Sequence, residues 1–573
     1  MPKRVLLGID CGGTHTDAVL LVQEEDIRVR FGAKVPTQHE DLPASIRAVL
    51  AKLSLDEQAA SLLQETSAVT LGTTLAVNAI VQGKADKVGL VLSAGPGLSP
   101  LRFTVGDYAV CVPGGLDHRG VEVESLDLSS LDGELTNWRQ SGVAETACVG
   151  KFSPRNPAHE CAMAAYLEEK GFHPCLGHRL SGELNFPRRI ATAYYNAAVK
   201  NVHNAFLDAV ESALASFHIN AQVRLLKADG GSVPLALSRK EPVASILSGP
   251  AASVMGIVAL CPEIDHGVTL LLDIGGTTTD ISYIVDGSPV VDRFGMLLEG
   301  RRTLVRALAS QSIGVGGDSR IRIDEDKKVH VGPHRDGPAM AFGGEVPTLL
   351  DALNYQNRDL PEDTGDRIAS KKGIEALAAR YALSPLELSE KAINSALSKI
   401  KEATRSLLHT INMHPIYTLK ALKSKTAIQP ERIVLVGGPA ACLCSRLEAF
   451  LELPVLIPRY ADVANAIGAC LTKPTSQLEV YADTGKRLLR APMLEHTEEL
   501  SRSATLTDVE DRCEDLLRTH LQKNAINDAE IEVLESNLFS TLDEYGASSK
   551  DLRVTCQVVP GILGRPSHAD CAL

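Results

Sequence analysis

Asp10-Cys11-Gly12-Gly13-Thr14-His15-Thr16-Asp17 returns later in the chain as Asp273-Ile274-Gly275-Gly276-Thr277-Thr278-Thr279-Asp280, with six of eight positions identical. Each copy follows an apolar run (Val5 to Ile9; Val268 to Leu272) and precedes another (Ala18 to Val22; Ile281 to Val285). Strand, Gly-Gly turn and strand predict a hairpin whose tip exposes backbone N–H groups. Such a concave tip binds phosphate, because glycine allows close approach and the donors need no side chain. Asp10 and Asp273, each ending a first strand, suit Mg²⁺, which keeps most of its water and takes only one or two carboxylates. A single Gly-Gly-Thr is an ordinary turn. Two copies with the same flanks argue for repeated architecture. The pair predicts two phosphate-binding hairpins, one per lobe, closing on a nucleotide.

Two further glycine elements fit this reading. Val436-Gly437-Gly438-Pro439-Ala440 is a strand–turn–helix junction with no side chain at the turn. A flat base can lie there against bare backbone. Ile313-Gly314-Val315-Gly316-Gly317-Asp318-Ser319 holds three glycines in four residues, a second anion-cradling loop or a surface turn. Its Asp318 is placed to bond a ribose hydroxyl or assist the metal. The chain has no Walker Gly-Lys-Ser/Thr, so the P-loop route to ATP is absent, and it has neither a His-Glu-x-x-His zinc helix nor a Gly-x-Ser-x-Gly nucleophile elbow. His173-x-Cys175-x-x-His178 has zinc-suited donors but no second ligand pair, and reads as a loop.

The 573 residues suffice for about three or four units. With 58 basic and 71 acidic side chains, net charge −13 and no basic runs, the chain argues against nucleic-acid or anionic-membrane partners. Its twelve cysteines include no Cys-x-x-Cys, which suits a reducing cytoplasm. No signal peptide or membrane span is expected.

Strands and helices alternate along the chain, the pattern of an α/β protein. Helical patterns run over 42–63, 157–170 and 188–217, with two or three more within 366–412; strands are expected at 27–35, 68–71, 88–92, 147–150, 223–228 and 433–436. Residues 173–187 read as an irregular crossing between lobes. The tail after about 475 is polar, carries an amphipathic helix near 507–525 and reads as largely helical.

This arrangement resembles the actin-like ATPases, the superfamily of sugar kinases and Hsp70 chaperones, through its paired hairpins and downstream adenosine glycines. Within it the chain is similar to the hydantoinase/oxoprolinase family, A-type subunit. The residues carrying this are Gly8-Ile9-Asp10 to Asp17, Gly72-Thr73-Thr74 with Asn78-Ala79, Asp229-Gly230-Gly231, Leu247-Ser248-Gly249-Pro250-Ala251-Ala252, Asp273 to Asp280 and the Gly314 loop. Two positions depart from the family pattern: Leu71, where longer relatives have His, and Asp318, where they have a third glycine.

The resemblance implies two actin-like (ribonuclease H-like) lobes around a nucleotide cleft: residues 1–180, then 181–475 with a helical insertion at about 345–415. Residues 476–573 form a small C-terminal cap, interaction or oligomerisation segment. It implies ATP and Mg²⁺ as cofactors and ATP-dependent cleavage of a small cyclic amide, with a B-type partner subunit. Asp10 is the expected Mg²⁺-side carboxylate and Asp273 the facing one. Gly12, Gly13, Thr14, Thr16, Gly275, Gly276, Thr277, Thr278, Gly316, Gly317, Asp318, Gly437, Gly438 and Pro439 hold the nucleotide. Gly72, Thr73, Thr74, Asn78, His178 and Glu183 fall on the substrate side. Asp17 and Asp280 either share this work or pin the hairpins. A small-molecule kinase, an ATP-driven carboxylase subunit and a nucleotide-switched binding protein are the competing readings.

Overall fold

Both signatures sit at hairpin tips. Arg4–Cys11 pairs antiparallel with His15–Gln23, and Val268–Ile274 with Thr279–Val285. The structure is a computed structural model and describes residues 3–38, 41–95, 97, 99–292, 294–356, 364–413, 427–527, 529–542 and 548–567.

The hairpins occupy matching places in two sheets. In the first, the order is Ser232–Pro234, Gln222–Leu226, Thr66–Thr73, Arg4–Cys11, His15–Gln23, Ile27–Pro36. In the second, Arg432–Val436 lies parallel to Val268–Ile274 just as Thr66–Thr73 lies parallel to Arg4–Cys11. Both first strands are covered on two faces, which is why they read as unbroken apolar runs and not as alternating ones. This is the actin-like α/β fold anticipated from the duplicated signature.

Helices Ser248–Leu260 and Ala464–Leu471 cross between the sheets. Their core includes Leu6 and Val19 from one sheet and Leu271 and Val434 from the other. The crossing is made of bare backbone: a Cβ on Gly468 would lie 2.2 Å from Ala252 O, one on Gly256 2.2 Å from Ala464 O, and one on Gly8 2.1 Å from Ala466 O.

A separate parallel sheet, His173–Leu176, Glu145–Gly150, Val88–Ser93 and Tyr108–Cys111, completes the N-terminal half. Helices Leu349–Gln356, Arg367–Arg380 and Pro385–Met413 pack on the second sheet. No helix among the described residues is long and apolar enough to cross a membrane.

Three expectations need correction. The helical pattern over 42–63 is two helices, Leu42–Leu53 and Glu57–Gln64, because the Asp56 carboxylate caps a new start through Gln58 and Ala59 N–H. The supposedly irregular 173–187 holds a strand and the short helix Gly177–Leu180, and Asn185 then caps the long helix Phe186–Ser216. The tail is mostly sheet: Gln477–Asp483, Leu488–Ala491, His496–Glu499, Ile531–Leu542 and Ser548–Val558 form five antiparallel strands. One helix, Leu506–Lys523, lies on it and starts with a Thr505–Asp508 capping box. This unit has its own core, including Val480, Leu489, Cys513, Leu517 and Val554. Both its ends return to the lobes: Thr475 N–H bonds Ser232 O, Leu563 N–H bonds Leu471 O, Arg565 pairs with Asp265 at 2.5 Å, and Ser567 N–H bonds Ile27 O.

Candidate active site

The two tips meet. Thr14 Oγ1 and Thr277 Oγ1 lie 3.4 Å apart, bridging the two halves of the chain. Gly12 N–H closes the first turn on His15 O (3.0 Å) and Gly275 N–H closes the second on Thr278 O (2.9 Å). Those two amides are spent on the turns, so donors for an anion lie further round each tip. Among the described residues no atom lies within 4 Å of where a Cβ on Gly13 or Gly438 would stand, whereas Gly276 is crowded by Asp318 Oδ2 at 2.7 Å and Thr14 Oγ1 at 3.0 Å.

Behind each tip stands a carboxylate in a recess that only glycine permits. Asp10 lies opposite Asp17 across the hairpin and beside Gly72; a Cβ there would be 2.3 Å from Asp10 Oδ1. Asp273 lies opposite Asp280, and a Cβ on Gly437 would be 2.8 Å from Asp273 Oδ1. Gly72, expected on the substrate side, therefore also makes room for Asp10, as Gly437 does for Asp273.

The recess is rich in negative charge. Asp10 is only 3 % exposed, and its Oδ1 has no hydrogen-bond partner among the described residues. Burial, then the Asp17 and Asp273 charges, push its carboxyl up to about 7. Burial likewise raises Asp17 to about 6, against the pull of Lys34 at 3.3 Å, and raises Asp280 to about 7. A buried, unpaired carboxylate oxygen among like charges fits a divalent cation better than it fits a purely structural role.

Asp273 is held by Ser253, whose Oγ donates to Oδ2 at 2.5 Å, and by Asn465 Nδ2 at 3.3 Å. Asn465 also stands beside Asp10 and pulls its carboxyl down, linking the two acids. Ser248 Oγ donates to Thr73 O at 2.7 Å, tying the Ser-Gly-Pro-Ala-Ala helix start to the strand that carries Gly72. Thr74 Oγ1 donates to Cys11 O (3.3 Å) and accepts from Asn78 Nδ2 (3.3 Å), so Thr73, Thr74 and Asn78 do gather at the first tip.

Other expected residues have different duties. Thr16 is wholly buried with its Oγ1 on Thr37 Oγ1 at 3.0 Å, so it braces the tip and is not placed to meet a phosphate; Thr279 does the same through Val315 O at 2.6 Å. Gly317 and Asp318 donate their N–H groups to Gly275 O and Gly276 O, and Gly316 N–H goes to Ser319 Oγ. The Gly314 loop thus buttresses the second hairpin. The Asp318 carboxylate pairs with Arg335 at 3.0 Å and accepts from Ala339 N–H. Pro439 packs against Gly317, bringing the Gly437–Pro439 turn to the same hairpin.

His178 and Glu183 bond elsewhere. His178 Nδ1 lies 2.6 Å from Glu160 Oε2, and Glu183 faces Glu479, whose carboxyl is pushed up to about 7 by burial and by that neighbour. Lys34, Ser253 and Asn465 were not singled out from the sequence. Register arithmetic finds Lys34, since Asp17 pairs with it across the next strand. No spacing signal points to Asn465.

Two family models match: Hydantoinase/oxoprolinase N-terminal region over residues 6–171 and Hydantoinase/oxoprolinase over 189–478. The caprolactamase α subunit of Pseudomonas jessenii is 25 % identical, covering 81 % of this chain and 70 % of its own length. An ATP-dependent caprolactamase structure from the same organism aligns with TM-score 0.72 at 19 % identity, over 99 % of this chain and 89 % of that one. 5-Oxoprolinase 1 of Arabidopsis thaliana is 24 % identical over 80 % of this chain but only 40 % of its own length. The acetone carboxylase β subunit of Xanthobacter autotrophicus is 24 % identical over 71 % of this chain and 62 % of its own. With duplicated hairpins, facing acids and both models matched in order, the chain belongs to the hydantoinase/oxoprolinase family.

Proposed function

We infer that the protein is an ATP-dependent hydrolase of a small cyclic amide of hydantoin, oxoproline or lactam type. The observation that carries this is the meeting of the two tips, Thr14 on Thr277 at 3.4 Å, with Asp10 and Asp273 behind them. Related caprolactamase and 5-oxoprolinase sequences supply the substrate class.

In this reading the amide carbonyl oxygen attacks the γ-phosphorus and ADP leaves. Water then adds to the activated carbon, the C–N bond opens to an amine and an acyl phosphate, and a second water releases phosphate and leaves the carboxylate. Such chemistry asks the protein mainly for positioning and charge neutralisation. Thr14, Thr277 and Thr278 offer hydroxyls to the β- and γ-phosphates, and the bare turn at Gly437–Pro439 takes the adenosine. Asp10 and Asp273 would hold Mg²⁺, which when bound neutralises phosphate charge. Thr73, Thr74 and Asn78 border the space for the amide. A B-type partner subunit is expected to complete the enzyme, and the subunit status of the caprolactamase relative supports this.

The test is ADP release measured over hydantoins, 5-oxoproline and small lactams, with and without a B-type partner. One ring class is expected to stimulate turnover with one ring opened per ADP. Slow turnover indifferent to all of them overturns the reading. The acetone carboxylase relative favours a second reading, a carboxylase subunit. ADP release that requires bicarbonate and a ketone selects that one.

A further inference from the structure

We propose that Cys161, His178 and Glu495 form a site for a divalent transition-metal ion of the zinc class, clipping the N-terminal lobe to the C-terminal unit. One ligand atom from each lies within 4.8 Å of the other two. Donors around one tetrahedral ion, at roughly 2.0–2.3 Å from it, stand about 3.3–3.8 Å apart, so only side-chain adjustment is needed. Cys161 is half-buried, and Glu495 is exposed and anchored through one oxygen to Arg179.

His178 is the observation that points to a ligand. It is 1 % exposed, yet its Nε2 has no hydrogen-bond partner among the described residues. Its Nδ1 meets Glu160 Oε2 at 2.6 Å, and Glu160 is itself fixed by Gly150 N–H at 2.8 Å and by the fully buried Arg189 at 3.3 Å. A carboxylate on one ring nitrogen orients the imidazole and raises its basicity, leaving the other nitrogen as the ligand. That arrangement recurs behind metal-bound histidines, and here the remaining nitrogen is buried and unused.

The donor set is one sulfur, one nitrogen and one oxygen. It suits zinc and its neighbours and not the hard ions that oxygen-only sites select, which separates it from the Asp10–Asp273 recess. Glu495 already reaches across the seam, since Arg179 Nε and Nη2 both bond its Oε1, at 3.0 and 2.7 Å. Its second oxygen is left for the ion. On binding, the Cys161 thiol gives its proton to solvent and a thiolate–metal bond forms; no oxidant or reductant is involved. Water takes the fourth position.

The test uses the full chain, stripped with chelator and titrated with Co²⁺, then Zn²⁺. One Co²⁺ per chain is expected to give a near-ultraviolet thiolate-to-cobalt absorption that Zn²⁺ displaces. Cys161→Ser should remove this band, and Glu495→Gln should weaken Zn²⁺ binding by about tenfold or more. Zn²⁺ should also raise the melting temperature of the wild type, and at the same concentration raise that of Glu495→Gln by less. Absence of the band, or its survival in Cys161→Ser, overturns the proposal. Cys161 packs at the edge of the core around Trp138 and Met163, whereas Glu495 is exposed, so the Glu495 variant tests the site without touching the core or any cysteine.

Discussion

Asp10→Asn is expected to cut Mg²⁺-dependent ATP turnover by about 10³-fold while making the nucleotide-free protein more stable at pH 8. The loss follows if Asp10 lies on the metal side of the phosphates, where removing the ligand forfeits several kcal/mol of charge stabilisation. The gain has a different origin. A carboxyl at about 7 in the folded protein and 3.8 unfolded binds more protons when folded throughout that interval. Stability from this group is therefore present below about pH 4 and is lost progressively as pH rises to 7. At pH 8 the penalty amounts to about 4 kcal/mol at most, with coupling to Asp17 and Asp273 making it smaller. Asn fills the same space without charge. Urea denaturation of both proteins from pH 4 to 8 in chelator measures it: the variant should gain on the wild type as pH rises, and added Mg²⁺ should narrow the gap by stabilising the wild type alone. Undiminished turnover in a folded variant would remove Asp10 from its assigned place.

Gly468→Ala is expected to be severely destabilising, costing about 3 kcal/mol or more. Its Cβ would stand 2.2 Å from Ala252 O and 2.3 Å from Gly256 N, and both contacts are backbone, so no side chain can swing away. The helices must separate, and the core they share with both sheets separates with them. Gly13→Ala is the matching control. Nothing among the described residues lies within 4 Å of its Cβ position, so its stability should stay within about 0.5 kcal/mol of wild type while ATP binding suffers. Urea midpoints for the two variants decide it: near-equal stabilities would contradict the close crossing.

The hairpins, their pairing and the central strand of each sheet were legible because glycine tips between apolar runs are local signals. The identity of the facing acids followed from position in the repeat. The duties of Thr16 and the Gly314 loop were not legible, because a hydroxyl on a tip and an amide in a glycine run look the same whether they face a ligand or a neighbouring strand. Thr37, twenty-one residues away, is what turns Thr16 inward. Asn465 joins Asp10 and Asp273 from the far end of the fold, a convergence made by packing alone. The C-terminal sheet was missed because its capped amphipathic helix is a strong signal, whereas strands with one wet face alternate weakly.

Besides the Arg155–Asp551 and Arg179–Glu495 pairs, the five-stranded unit is stitched to its host at both chain ends, through Thr475 on the way in and through Leu563, Arg565 and Ser567 on the way out. Those last stitches land on Leu471, Asp265 and Ile27, on elements that belong to or adjoin both halves of the molecule. A body fastened at two such points cannot dangle as a tethered passenger. Any shift of one half against the other pulls on both threads at once, and the outer sheet must ride along.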